Sequence, residues 1–147
     1  MFRLARKIDL LPLFELANDN VVRQNAFNSS KIAFEEHKKW FNAKLSNKNC
    51  KYYVYTDNRT NKLISAIHLD FENNAWTISI DVSKEFRSMG LGKKFLKWVI
   101  LKNKNKKFIA YVKIQNTASI ALFASFGFKR SKDIEIKNQI CACFSLN

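Results

Sequence analysis

"ISIDVSKEFRSMGLGKKFLKW", residues 78–98, changes its period halfway along. As far as Val82 apolar and polar side chains alternate as in a half-buried strand, and from Gly90 the pattern is helical. The turn between them holds two of the chain's three glycines, Gly90 and Gly92, behind Arg87 and ahead of Lys93 and Lys94. The first-turn amides of a helix lack intrahelical partners, and the helix dipole is positive there, so a strand-to-helix turn of this kind suits an anion. Glycine leaves no Cβ between the backbone and a ligand, and arginine adds a permanent cation with paired donors. The stretch reads as a holder of phosphate or pyrophosphate, against the plainer alternative of an ordinary turn. Neither of two familiar phosphate loops fits: "GLGKKF" lacks the GxxxxGK[ST] spacing, and it lacks the third glycine of GxGxxG.

Upstream, "KYYVYTD", "KLISAIHLDF" and "AWTISIDV" are strand candidates separated by the turn-rich "NRTN" and "ENN", the pattern of an antiparallel meander. Before them, "FRLARKID" alternates as a first strand, "LLPLFELAND" forms a short helix around Pro12, and "VVRQNAFNSS" reads as a loop. Ser29 or Ser30 then caps a helix in "KIAFEEHKKWFNAKLSN", where Phe34, Phe41 and Leu45 share a face. Downstream, "KFIAYVKI" is a strand, "NTASIALFASFG" is a helix closed by Gly127, and "IEIKN" with "QICACFSL" forms a final hairpin. The order β α α β β β α β α β β predicts a mixed α/β layer of sheet with helices on its faces.

The 147 residues suit one domain over 1–147, and 47% hydrophobic content supplies a core. No apolar run approaches the roughly 18 residues that span a bilayer, so a soluble, cytoplasmic protein with no membrane partner is expected. Cys50, Cys141 and Cys143 offer no metal-ligand spacing, no metal is expected, and buried free thiols are the simplest reading. The net charge of +14 favours an anionic partner, although Lys/Asn stretches such as "LKNKNKKF" account for much of it as solvated surface.

"RSMGLG", Arg87 to Gly92, resembles the (Q/R)-x-x-G-x-(G/A) signature of GNAT-superfamily acyltransferases. "ISIDVSKEF" is similar to that family's fourth strand, and "NTASIALFASFGFKR" to its later N-x-x-(S/A) helix segment ending in GF. The resemblance implies the GNAT fold, of class α/β (α+β): a central mixed, mostly antiparallel sheet of about seven strands with helices on both faces. It implies an acetyl-CoA-dependent N-acetyltransferase in which Ile80, Asp81 and Val82 pair with the pantetheine arm through their backbone. Arg87, Ser88, Met89, Gly90, Leu91, Gly92 and Lys93 would cradle the pyrophosphate, and Asn116 would bond the pantetheine or simply cap its helix. Phe123 stands where many relatives carry a tyrosine that protonates the departing thiolate, which phenylalanine cannot do.

"NDNVVRQNAFNSSKIAFEEHKKWF" resembles the acceptor-side stretch of enzymes that acetylate an amino group on nucleotide-linked sugars, of the pseudaminic-acid pathway type. This implies a nucleotide-sugar acceptor in surface-glycan synthesis. The alternatives are a protein N-terminus or lysine, or a nucleic-acid or acyl-CoA binding module without turnover; no RNA-binding or zinc-finger signature supports a nucleic-acid partner. His68 is the candidate catalytic base because its ordinary pKa of about 6.5 suits proton transfer at neutral pH. Asp70 shares its face, while Asp81 points away from the side that Ile80 and Val82 face. Arg23, Asn25, Glu36 and His37 are further acceptor-contact candidates, with helix packing the alternative for His37. A homodimer is compatible with the apolar sheet edges of the superfamily.

Overall fold

The computed structural model describes all 147 residues. Eight strands form one sheet, β1 (Phe2–Leu4), β2 (Cys50–Thr56), β3 (Leu63–Glu72), β4 (Ala75–Val82), β5 (Phe108–Lys113), β6 (Lys129–Arg130), β7 (Ile134–Ile136) and β8 (Gln139–Leu146). Their spatial order is β1-β2-β3-β4-β5-β8-β6, with β7 also paired to β8. All pairings are antiparallel except β4 with β5, which run parallel. The helices are α1 (Leu10–Ala17), α2 (Asn20–Asn25), α3 (Phe34–Ser46), α4 (Leu91–Lys102) and α5 (Thr117–Ser125). The mixed, mostly antiparallel sheet expected from the sequence is present, with one more strand than the approximate seven.

Alternation along the central strands sends side chains to two cores. On one face Tyr53, Ile67, Leu69, Ile78, Phe108 and Ala110 pack with Phe95, Leu96 and Val99 of α4 and Phe123 of α5. On the other, Tyr52, Val54 and Ala66 meet Leu13 and Leu16 of α1, Val22 of α2 and Phe41 of α3. Full burial of such side chains contributes roughly 1.5–3 kcal/mol each, so both helical layers are anchored to the sheet. Cys50, Cys141 and Cys143 are free thiols, the first two buried. No helix is long and apolar enough to cross a membrane.

Three local readings differ. The first strand stops at Leu4 because Asp9 folds back: its carboxylate accepts from Arg3 at 2.7 and 2.9 Å and from the Arg6 amide at 2.7 Å, turning Lys7–Asp9 into a 3-10 helix. "VVRQN" is not loop but helix α2, nucleated by Asp19, whose carboxylate accepts from the amides of Val21 and Val22 at 3.0 and 3.2 Å. Neither Ser29 nor Ser30 caps α3. That helix starts at Phe34 with Ala33 in the cap position, and Asn18 fixes its approach by bonding both the N–H and C=O of Ile32 at 2.8 Å.

His37 is 2% exposed and its Nε2 has no hydrogen-bond partner. Its ring lies 5.6, 5.5 and 6.2 Å from those of Phe14, Trp40 and Phe41. Burial, with a further push from Arg23, holds its pKa below the ordinary 6.5. The unfolded chain therefore takes up a proton below about pH 6.5 that the folded state refuses, and stability falls as the pH drops through that range. We expect His37→Leu to remove this acid-side loss and to stabilise the protein by about 1–3 kcal/mol at neutral pH, the usual cost of an unpaired buried polar atom. Thermal melts of both proteins between pH 5 and 8 check this.

Candidate active site

β4 and β5 pair only through Trp76 with Phe108 and Thr77 with Ile109. Beyond Thr77 they diverge into a notch. The Trp76 amide donates to Lys107 O at 2.8 Å and the Ile78 amide completes the Thr77–Ile109 rung, so the Ile78 C=O and the N–H and C=O of Ile80, of the same parity, aim into that opening. Val82 has the same parity, but its carbonyl is already taken by Arg87 Nε at 3.0 Å.

The chain leaves β4 through a 3-10 turn, Lys84–Phe86, and enters α4 by a loop in which Ser88 (φ 63°) and Gly90 (φ 73°) are both left-handed. The amides of Ser88, Met89, Gly90, Leu91, Gly92 and Lys93 find no acceptor in the protein, and Lys94 N–H to Gly90 O at 3.3 Å is the first bond of the helix. Successive free N–H groups around left-handed residues form a concave anion nest at the positive end of the α4 dipole. The two glycines serve different ends. Gly90 supplies the left-handed backbone, with open space where its Cβ would be, whereas a Cβ on Gly92 would meet Val82 Cγ2 at 3.4 Å and Ile80 Cδ1 at 3.7 Å. The first turn of α4 thus has room for a methyl at position 92, in ordinary van der Waals contact with the strand. Met89 projects its side chain into solvent and Leu91 packs on the core, so these two can contribute only through their backbone.

Two adjoining clefts occupy the notch. One, about 360 Å³, runs along the loop and is lined by Ile80, Asp81, Val82, Arg87, Ser88, Gly90, Gly92, Lys93 and Asn116. The other, about 340 Å³, passes between the strands and takes in Arg23, Asn25, Phe27, His68, Thr77, Ser79, Asp81, Tyr111, Asn116 and Phe123. Val22, Asn25, Ile80, Asp81, Asn116 and Ser119 line both. Asn116 Oδ1 caps α5 by accepting from Ser119 N at 3.3 Å, which leaves its Nδ2 without a protein partner. Phe123 is buried at the floor, 5.0 Å from Phe128 and 6.0 Å from Phe144. One turn before it, Ser119 carries an unpaired hydroxyl that lines both clefts, and Tyr111 brings another to the second.

A family model for the acetyltransferase (GNAT) family matches residues 14–128. The chain belongs to the GNAT family of acetyltransferases. This GNAT chain is similar over 100% of its length to an N-acetyltransferase from Staphylococcus aureus Mu50, with 22% identity, a TM-score of 0.84 and 97% of that chain covered. A spermidine N-acetyltransferase from Vibrio cholerae, solved with CoA and spermine, matches at 18% identity and TM-score 0.83, covering 99% of this chain and 94% of the other. A ribosomal-protein-alanine N-acetyltransferase from Brucella melitensis gives 22% identity and TM-score 0.83, covering 99% and 98%. No curated protein sequence matches the chain at a significant level. The protein is an acyltransferase, and acetyl-CoA is its acyl donor. The free amides of residues 88–93 fit a pyrophosphate, and the main-chain groups of Ile80, beyond the last β4–β5 rung, fit an amide-bearing arm.

The remaining sequence candidates divide. His68 projects from the β3 face opposite the α4 core, with Nε2 2.9 Å from Ser79 Oγ and 3.6 Å from Asp70 Oδ2. Burial holds its pKa below 6.5, although Asp70 pulls the other way, so it is a neutral imidazole at pH 7. Asp70 itself pairs with Lys44 at 2.5 Å. Arg23 and Asn25 reach the cleft from α2, but Arg23 donates to the carbonyls of Ala17 (2.6 Å) and Asn28 (2.9 Å). His37 sits in its aromatic cage, and exposed Glu36 lines neither cleft. Sequence reasoning assigned Asp81 a backbone role only. Its side chain faces away from α4, takes no hydrogen bond, and is pushed by burial to a pKa of about 6 against the pull of Arg23 and Arg87.

Gly90→Ala forces an L-residue into the left-handed region at a cost of about 1–2 kcal/mol, whereas Gly92→Ala places its methyl in ordinary contact. Calorimetry should show acetyl-CoA Kd rising about tenfold for the first, the equivalent of roughly 1.4 kcal/mol, and barely changing for the second. Equal losses would mean that loop conformation is not what holds the donor.

Proposed function

We propose that this GNAT enzyme acetylates a primary amine on an amino-sugar nucleotide in surface-glycan synthesis, with Asp81 as the proton acceptor. The observation that carries this reading is the lining of the acceptor cleft: aromatic faces from Phe27, Tyr111 and Phe123 surround a polar set, His68, Thr77, Ser79 and Asp81. Flat aromatic walls with a few hydroxyl and carboxylate partners suit a sugar or nucleobase. A single carboxylate, Asp81, balanced by Arg23, lines the cleft, so there is no acidic track of the kind a polyamine or basic peptide calls for. Arg23 lines this cleft, and its Nη2 has no partner in the protein, which leaves it a donor for a phosphate.

Bound acetyl-CoA supplies a thioester whose carbonyl carbon is the electrophile. The protein's share is to align the amine, exclude water and take the amine's proton. Asp81 lies where the two clefts meet, and a pKa of about 6 leaves it ionised yet still basic at neutral pH. Neutral His68, fixed between Ser79 and Asp70, is positioned to accept a hydrogen bond from the acceptor or to relay the proton. The N–H of Ile80, beyond the last β4–β5 rung, is a donor at the notch able to stabilise negative charge on a carbonyl oxygen. None of the three cysteines lines either cleft, which favours direct transfer to the amine.

Thiol release from acetyl-CoA over a panel of amino-sugar nucleotides, peptides and polyamines tests the acceptor. Turnover with amino-sugar nucleotides is expected, and turnover with peptides alone would move the assignment to a protein N-terminus or lysine.

With the accepted substrate, kcat/KM should decline as the pH falls below about 6, where Asp81 takes a proton. Asp81→Asn should lower kcat about 100-fold or more with KM nearly unchanged. An unaltered acid limb in that variant, paired with its loss in His68→Ala, would transfer the role to His68.

A further inference from the structure

Arg87 heads the donor loop, yet its guanidinium is turned away from the free amides. Nε donates to Val82 O at 3.0 Å and Nη2 to Asp19 Oδ1 at 2.6 Å. Asp19 is the residue that caps α2, and the same Oδ1 accepts from Val21 N and Val22 N. One carboxylate oxygen therefore fastens the start of α2 to the loop that follows β4. The pair is partly shielded, with side-chain exposures of 27% and 21%. Arg87 and the α2 amides hold the Asp19 carboxyl below its ordinary range despite the opposing effect of burial.

The far end of α2 is fastened to the other side of the notch. Gln24 O accepts from Lys113 Nζ at 2.9 Å and from Gln115 Nε2 at 3.1 Å, and Phe27 O accepts from Gln139 Nε2 at 2.8 Å. Lys113 ends β5 and is only 7% exposed. α2 thus spans the gap between the diverging strands like a crossbar. It lines the donor cleft with Val21, Val22 and Asn25, and the acceptor cleft with Val22, Arg23 and Asn25.

We propose that the Asp19–Arg87 pair is a positioning bridge that couples the two substrate sites: ordering the donor loop orders α2, and with it the wall against which the acceptor binds. Arg87 acts through Asp19 and is not a phosphate ligand. The two sites share one rigid element with a discrete attachment, which is the physical requirement for a coupling free energy between them. The inference rests on reading the cleft between the strands as the acceptor side, and it does not depend on which amine is used.

Hydrogen–deuterium exchange of the full chain, with and without acetyl-CoA, reads the bridge at residues 20–25. Acetyl-CoA should slow exchange there by about fivefold or more in the wild type. Asp19→Asn keeps the helix cap, since asparagine also accepts from N2 and N3 amides, but removes the charge that Arg87 meets. In Asp19→Asn, in Arg87→Gln and in the double variant, the donor-induced slowing in α2 should vanish to the same extent. Calorimetry should give both single variants the same acetyl-CoA Kd, with no further change in the double. A merely structural role would lower Tm and leave the donor-induced slowing in place, which overturns the proposal. So does an Arg87→Gln protein that loses donor affinity tenfold or more while Asp19→Asn does not, because Arg87 would then hold phosphate itself. These outcomes are read with donor alone, so a failed amino-sugar assignment leaves them untouched.

Discussion

The structure depends on a pairing that does not happen. Two rungs join β4 to β5, at Trp76 and Thr77, and then the strands part. Backbone donors and acceptors left open inside a fold are costly unless something occupies them. Here that cost is localised where the two clefts meet. The β3–β4 pairing before the split and the β5–β8 pairing after it are continuous, so the sheet remains rigid on both sides of the opening. The notch is therefore a fixed shape set by two stiff half-sheets.

Charge is distributed by the same logic. In a chain with a net charge of +14, Lys93 lines the donor cleft, while the arginine of the loop is bonded to Val82 O and Asp19. Fixed dipoles supply the attraction, namely the unbonded amides of residues 88–93 and the amino end of α4. Neutral dipoles of this kind are preorganised and need no desolvation of a charged side chain. The one strongly displaced carboxyl in the clefts, Asp81, sits on the face of the sheet opposite α4 and lines both clefts.

Much of this was legible in the sequence because it is local. The strand–glycine–helix punctuation at residues 78–98 and the alternation of β2, β3 and β4 each follow from a handful of consecutive residues. The free amides follow from the helix start itself. What escaped was tertiary or too short to leave a period. Six residues of α2 are under two helical turns, and Asp19, within "NDN", looked like the end of α1 when it is the cap of the next helix. β1 kept its alternating pattern, but the reach of Arg3 to Asp9 is a side-chain event that alternation does not encode. The functional aspect of Asp81 arises only when β5 leaves its side. The tie from Arg87 to Asp19 joins positions 68 apart, and only folding brings them together. His37 showed its packing role through Trp40 and Phe41 on its own helix.

The cysteines have a consequence for the donor's survival. A thioester is open to exchange with any nearby thiolate, and a protein that binds one closely risks acylating itself. Burial pushes the Cys50 thiol up to about 12 and raises Cys141 as well, so at neutral pH both remain protonated and inert. The interior therefore does not divert the acetyl group into its own sulfur.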